Sequence, residues 1–480
     1  MTSSNHDSGT GGALNAPVAT ALPKVNVFTM FRLGLFQMGL GIMSVLALGV
    51  LNRVLIGELK VTAWIAAGAI AMHQFVSPAR LWFGQMSDAK PIRGYHRTGY
   101  VWLGAALFSI AVFLAVQVMW RLGDSLQNQG WTLATYGWAA LLALAFALYG
   151  LALSCSSTPF AALLVDVSDE ENRSKLVGVV WSMLMVGIVV GAIMGSSLLK
   201  QLALDAPLAV LQASINRLFA IVPAIVFGLA LLATVGIERR YSRYTSRSSL
   251  VDREDGITLG KALKVLTASR QTGIFFTFLL VMTISLFMQD AVLEPYGGEV
   301  FAMAIAETTK LNAFWGMGTL IGLSATGFLL APRLGKQNTA RLGCLLVAAC
   351  FGLLLLSGFT ANQKLLQAVL FVFGLASGVT TTGAVSLMLD LTAAETAGTF
   401  IGAWGLAQAM ARALATVTGG AILDLGRQLF TSPVMAYGLV FTVQAIGMIL
   451  AVWLLSRVNI TEFRTDMKGA VSQILAGELD

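Results

Sequence analysis

Twelve apolar runs, each long enough to cross about 30 Å of hydrocarbon at 1.5 Å per residue, follow one another along 480 residues. In hydrocarbon every backbone N–H and C=O must find its partner within the protein, so open runs of this length can only span as helices. They centre on Gly41, Ile70, Ser109, Leu144, Gly187 and Val226, then on Met282, Leu320, Phe351, Phe373, Ala411 and Met448. The seventh ends raggedly near Glu294-Pro295, and the tenth and eleventh nearly merge between Asp390 and Ala397. Charged residues make up 11% of the chain, against roughly 25% in water-soluble domains. A soluble enzyme or nucleic-acid-binding domain is thereby excluded. The net charge of +7 is read as loops facing anionic lipid, with no nucleic acid as partner.

The polar intervals divide the chain into a disordered tail (1–26), a first six-helix bundle (27–237), a linker (238–270), a second bundle (271–457) and a closing tail (458–480). The linker alone holds eight Lys or Arg. With the N-terminus inside, the tails and even-numbered loops collect 22 of the 31 Lys and Arg and the odd loops eight, so both termini and the linker are expected to be cytoplasmic. Cys155, Cys344 and Cys350 lie in apolar runs without ligand spacing and imply neither disulfide nor metal site.

An internal repeat ties the bundles together. At an offset of 224 residues Asp166 meets Asp390, Gly150-Leu151-Ala152 meets Gly374-Leu375-Ala376, and Glu171, Gly178 and Gly195 meet Glu395, Gly402 and Gly419. The loop after the second run reads Gly84-Gln-Met-Ser-Asp88-Ala-Lys90-Pro-Ile-Arg93-Gly94-Tyr-His96-Arg97, and a degraded copy, Gly327 to Lys336, has Ala331 in place of Asp88. The spacing resembles the loop signature of the major facilitator superfamily. It implies that superfamily's all-α fold, twelve transmembrane helices in two six-helix repeats. The resemblance also implies a conformational latch: Gly84, Asp88, Lys90, Arg93, Gly94 and Arg97, with Arg173 as the partner from the next loop and the N-terminus of helix eleven close by. The alternative is a charged loop that marks the membrane boundary.

Helix five carries Gly178, Gly187, Gly191 and Gly195, similar to the superfamily's antiporter signature except that Ala192 and Ser196 replace its proline and last glycine. Close helix packing is the preferred reading of these glycines.

Ionisable groups at membrane depth are costly and usually functional. Arg412 sits midway along helix eleven, with Gln408 and Thr416 one turn away on its face, and no acid is found at comparable depth. Asp290 and Glu294 are expected at the interface, near the outer end of helix seven. Helices one, four and ten carry no mid-membrane acid, which counts against proton-coupled transport. His73 shares a helical stripe with Ser77, Arg80 and Gly84. It is read either as a packing histidine, its ring satisfied by Ser77, or as the axial ligand of a chlorin magnesium. His96 is expected to be solvated.

Arg32 to Gly41, Leu51-Asn52-Arg53-Val54, Ser77-Pro78-Ala79-Arg80 and Gly84 to Pro91 are similar to the PucC/LhaA family, the bacteriochlorophyll-delivery branch of the major facilitators. The resemblance runs over nearly the whole chain. It implies an assembly factor rather than an enzyme, with no catalytic residues, in the cytoplasmic or intracytoplasmic photosynthetic membrane of a bacterium. Such a factor would deliver or shield bacteriochlorophyll, with carotenoid, and antenna apoproteins. The implied partners are light-harvesting polypeptides, pigment-synthesis enzymes or the reaction-centre complex, and lipids. His73, Arg80, Gln408 and Arg412 are the candidate pigment- or partner-binding residues. A proton-coupled transporter of an amphipathic organic solute stays open as the alternative.

Overall fold

The second apolar run does not form one helix. Pro78 lacks an N–H, and its ring excludes the carbonyl four residues back. The run therefore breaks at Val76-Ser77-Pro78, and three-residue turns stitch the gap: Ser77 N–H to the Gln74 carbonyl, Ala79 N–H to Val76 and Arg80 N–H to Ser77, each 3.0 Å. The other eleven runs are continuous helices long and apolar enough to cross a membrane. The computed structural model describes residues 25–168, 170–202, 206–242, 270–391 and 397–459. The tail before residue 25, linker residues 243–269, the tail from residue 460 and Glu395 of the repeat lie outside them.

In the first half α1 spans Val27–Glu58, the broken span gives α2 (Ala63–Phe75) and α3 (Ala79–Ala89), and α4 (Thr98–Gln129), α5 (Leu133–Val167), α6 (Glu170–Leu199), α7 (Leu208–Thr234) and the short α8 (Ile237–Tyr241) follow. In the second half α9 (Arg270–Phe287) passes through a 3-10 turn, Met288–Ala291, into α10 (Leu293–Phe301). Then come α11 (Ile305–Leu334), α12 (Lys336–Thr360), α13 (Gln363–Leu391), α14 (Ala397–Leu429) and α15 (Pro433–Ser456). Two π-helical turns, Val45–Val50 and Val54–Glu58, widen α1 just where it carries its polar residues Asn52, Arg53 and Glu58. Such turns free a carbonyl from the regular ladder and frequently mark functional stretches.

Glycine sets how closely the helices approach, and it does so at equivalent places in both halves. A Cβ at Gly150 of α5 would run into the backbone of His73 in α2. Its repeat mate Gly374 of α13 meets the Trp315 carbonyl and Gly318 of α11 in the same way. On α6, Gly187 lies against the backbone of Met38 and Gly191 against Ile42, both in α1, while a Cβ at Gly195 would stand 3.2 Å from Thr309 of α11. Gly178 differs from the other three: nothing lies within 4 Å of where its Cβ would be. The packing expected of all four glycines therefore applies from Gly187 onward. Gly178, one repeat unit earlier, lies beyond the contact with α1.

The two halves meet along α6 with α11 and along α2 with α14, pairs that the internal two-fold exchanges. Asp290 and Glu294, expected at the interface, instead lie inside. Glu294 is 4% exposed, is held by Asn312 Nδ2 at 2.6 Å, and reaches Gly49 of α1. The ragged end of the seventh run is the cause: the 3-10 turn and α10 fold these acids back into the protein instead of carrying them out to the headgroups.

Overpacking of a close crossing costs about 1–3 kcal/mol. Gly187→Ala, against the Met38 backbone, should lower the thermal unfolding midpoint of the detergent-purified protein, whereas Gly178→Ala should leave it unchanged. Equal midpoints for the two variants would contradict the packing assigned to α6.

Candidate functional site

The loop that carries Asp88 is built around one buried guanidinium. Pro91 to His96 folds as a tight reversal, with Ile92 and Tyr95 bridged and Arg93 and Gly94 at φ 52° and 78°, the left-handed pair that a two-residue hairpin turn requires. The reversal delivers Arg97, 4% exposed, to Asp88 at 2.5 Å and to Asp166 at the end of α5 at 2.8 Å. Its Nη1 also donates to Ser87 Oγ at 2.6 Å. Burial works against its charge, but the hydrogen bond and field of Asp166, joined by Asp88, outweigh that and hold the guanidinium above its ordinary pKa. Glu238 of α8 accepts from the backbone N–H groups of His96 at 2.7 Å and Thr98 at 2.7 Å, so an acid from the end of the half caps the N-terminus of α4.

This arrangement revises the expected latch. Of its basic members, Arg97 engages Asp88. Lys90, Arg93 and Gly94 are exposed, and Gly84 makes only ordinary contact with Thr158 at 3.6 Å. Arg173, expected opposite Asp88, donates to Ser168 at 3.3 Å, and the last turn of α5 contributes Asp166 to Arg97. His96 is half-buried, with Nδ1 3.3 Å from the Ser87 carbonyl, where a solvated ring was expected. Glu238 was not singled out in the sequence, because an acid opening a basic linker looks like one more solvated charge. The side chains at the N-terminus of α14 lie outside the description.

At the opposite end the halves are fastened to one another. Asp424, near the end of α14, accepts from the N–H groups of Ala63 at 3.1 Å and Trp64 at 2.8 Å, capping α2 from the other half. Beside it, and within the second half, Arg427 pairs with Glu299 of α10 at 2.7 Å. Asn52 of α1 donates to the Ala291 carbonyl, and Arg53, paired with Glu58 at 2.9 Å, packs over Gly298. The contacts that cross between the halves, Asp424 with the start of α2, Asn52 with Ala291 and Arg53 with Gly298, join residues far apart in the chain, and no spacing links them.

Between these ends a group of polar side chains from α2, α3, α14 and the turn after α9, here termed the cleft, lies within mutual electrostatic reach. His73 is half-buried beside the break in α2, with Nδ1 2.6 Å from the Ile70 carbonyl and its ring edge-on to Tyr149 at 6.0 Å. Ser77 does not satisfy the ring. Its own Oγ is buried without a partner, because the break turns it off the expected stripe. Arg412 stacks over Phe287 of α9, its guanidinium carbon 3.8 Å from the ring centroid, and its Nε is buried with no partner. An acid does stand near it: Asp290 is within electrostatic reach of Arg412, as are Arg80 and His73. The two form no ion pair among the described residues, since Asp290 is held by Gln289 at 2.9 Å. Gln408 is half-buried one turn before Arg412, and Thr416 donates to the Arg412 carbonyl at 3.0 Å.

The PUCC protein family profile matches residues 50–463. The chain belongs to that family. It is 30% identical to the "Bacteriochlorophyll synthase 44.5 kDa chain" of Rhodobacter capsulatus, over 88% of this chain and 93% of that one. It is 28% identical to "Protein PucC" of the same organism, over 90% and 92%. Among solved structures, a variant of the nucleoside transporter NupG superposes with a TM-score of 0.67 at 12% identity, over 90% of this chain and 99% of that one. The major facilitator fold is thus established for this PUCC protein. The matched region takes in the Arg97 node, the seam and the cleft alike.

Exposure ranks the charges of the node. Removing one partner of a buried pair costs about 3–5 kcal/mol, while exposed pairs are worth about 0–1 kcal/mol. Asp166 is 9% exposed and Asp88 35%. Arg97→Met should therefore destabilise the purified protein by about 3–5 kcal/mol, and Asp88→Asn by about 1 kcal/mol or less, as read by denaturant unfolding. The reverse order would make Asp88 the hub.

Proposed function

We propose that this PUCC protein is an assembly factor for bacterial light-harvesting antenna complexes. It delivers or shields bacteriochlorophyll, with carotenoid, and antenna apoproteins in the photosynthetic membrane. The observation that carries this reading is family membership over nearly the full chain, with relatives named for PucC and for bacteriochlorophyll. Antenna polypeptides, pigment-synthesis enzymes or the reaction-centre complex, and lipid are the partners it implies. The pigment is cargo here, not a resident cofactor.

The chemistry of His73 fits such a cargo. An imidazole whose Nδ1–H donates to a backbone carbonyl, here Ile70 at 2.6 Å, is fixed in the tautomer that keeps the Nε2 lone pair for a metal. The magnesium of a chlorin accepts one axial ligand of that kind. Phe287 under Arg412 is half-buried and supplies aromatic surface for a flat apolar molecule. The basic-residue bias of the loops supports an orientation with both termini cytoplasmic. In that orientation the seam at Asp424 faces away from the cytoplasm, and the Arg97 node lines the cytoplasmic side.

Purification from native membranes tests the reading. Near-infrared absorbance and small single-helix peptides should co-purify with the protein. Their absence, with substrate-driven proton flux in liposomes, would favour a proton-coupled transporter of an amphipathic solute. His73→Leu should remove most of the co-purifying pigment at equal protein yield while the antenna peptides stay attached. An unchanged pigment spectrum in that variant would exclude His73 as the ligand.

A further inference from the structure

Two cations face the cleft from opposite halves, and neither has an ion pair among the described residues. Arg80 opens α3, eight residues before Asp88, so it lies about 12 Å along the helix from the loop end. It is exposed, and His73 and Arg412 lie within its electrostatic reach, which sets it on the side of α3 toward α2 and α14. Arg412 comes from α14. The cleft thus brings together like charges on α3 and α14, although removing a guanidinium from water is expensive unless it is paired. The aromatic face of Phe287 offsets part of that cost for Arg412, yet its Nε remains buried and unpartnered.

We infer that the cleft is a binding site for the carboxylate of an amphipathic acid, with the anion bridging Arg80 of one half and Arg412 of the other. Asp290 makes no ion pair with Arg412 among the described residues and is held by Gln289 instead, so the two guanidinium groups lack an anionic partner. Guanidinium forks match carboxylate geometry and form charge-assisted bonds stronger than neutral ones. The half-buried His73 and Phe287 provide the surface for the apolar body. The inference rests on the pigment reading only for the identity of that body: a magnesium chlorin with a free propionate side chain would place its metal at His73 and its carboxylate between the arginines.

The test uses the full-length protein in detergent and two matched probe pairs: a zinc chlorin with a free propionate against its methyl ester, and lauric acid against methyl laurate. Intrinsic fluorescence quenching reads the binding. Each acid should bind at least about tenfold tighter than its ester, a factor equivalent to 1.4 kcal/mol. Arg80→Gln and Arg412→Gln should each reduce that preference to near unity and leave ester binding unchanged. Acid and ester binding equally in both pairs would overturn the anion site, even where the chlorin binds. An acid preference confined to the lauric pair, with neither chlorin bound, would uphold the anion site and overturn the pigment reading. Dodecyl phosphate outcompeting lauric acid would overturn the assignment to a carboxylate. Should Arg412→Gln not fold, Arg412→Lys keeps the charge without the fork, and a preference kept in full by that variant would exclude bidentate recognition.

Discussion

Hydrocarbon offers no hydrogen bonds, so a spanning chain must satisfy its backbone internally. Every departure from a regular helix therefore has to be supported by neighbouring protein. Three of the departures flank the cleft and the seam, whereas a π-helical turn at Thr326–Leu330 of α11 carries the exposed apolar side chains of Phe328 and Leu329. The break at Val76-Ser77-Pro78 stands next to His73, stitched by local turns and backed by Gly150 of α5. The π-helical turns of α1 bracket Asn52 and Arg53, which join the seam. The 3-10 turn after α9 carries Gln289 and Asp290 toward Arg412. Irregular backbone at membrane depth is tolerated where it is enclosed by protein or lines a cavity, and in this chain those places are also where the polar side chains gather.

Buried charge is handled in two different ways. Arg97 is over-supplied: two carboxylates and a hydroxyl surround it, and Glu238 caps the helix that begins with it. Such a node locks α3, α4, α5 and α8 of the first half into one unit, because moving any of them strips a partner from a group that is 4% exposed. Arg412 is under-supplied, with one aromatic face beneath it and a second arginine in its field. The first arrangement suits a rigid body. The second suits a site whose complement arrives from outside.

The fold was largely legible in the sequence, because both its signals are long-range and redundant. Run length against bilayer thickness sets the number of spans, and the 224-residue repeat from Gly150 and Gly374 sets the halves. The repeat even anticipates a structural equivalence, since both glycines admit close approach of the neighbouring helix at the same place. The site was legible only in its members. His73, Arg80 and Arg412 stood out as costly residues at depth, but the proximity of Asp290 did not, because a 3-10 turn reverses the direction that a continuous helix would have given it. Arg97 seemed one basic residue among several. Its burial depends on a hairpin whose left-handed pair, Arg93-Gly94, carries only a glycine as its sequence signal. The seam of Asp424 with the start of α2 joins residues 360 apart, and no periodicity reports such a pair.

The unequal fastening of the two halves has a mechanical consequence. At the seam, Asp424 replaces the side-chain cap that Thr62 does not make for α2, so separating the halves there exposes the orphan N–H groups of that helix. The seam borders an open cavity lined by Lys60, Thr62, Glu299, Asp424 and Arg427, where freed N–H groups would be solvated, so the cap contributes about 0.5–2 kcal/mol. Arg80 and Arg412, which lie between the seam and the Arg97 node, repel one another across the same interface. An occupant that neutralises them would remove that repulsion, and so couple what the cleft contains to how firmly the far end is closed.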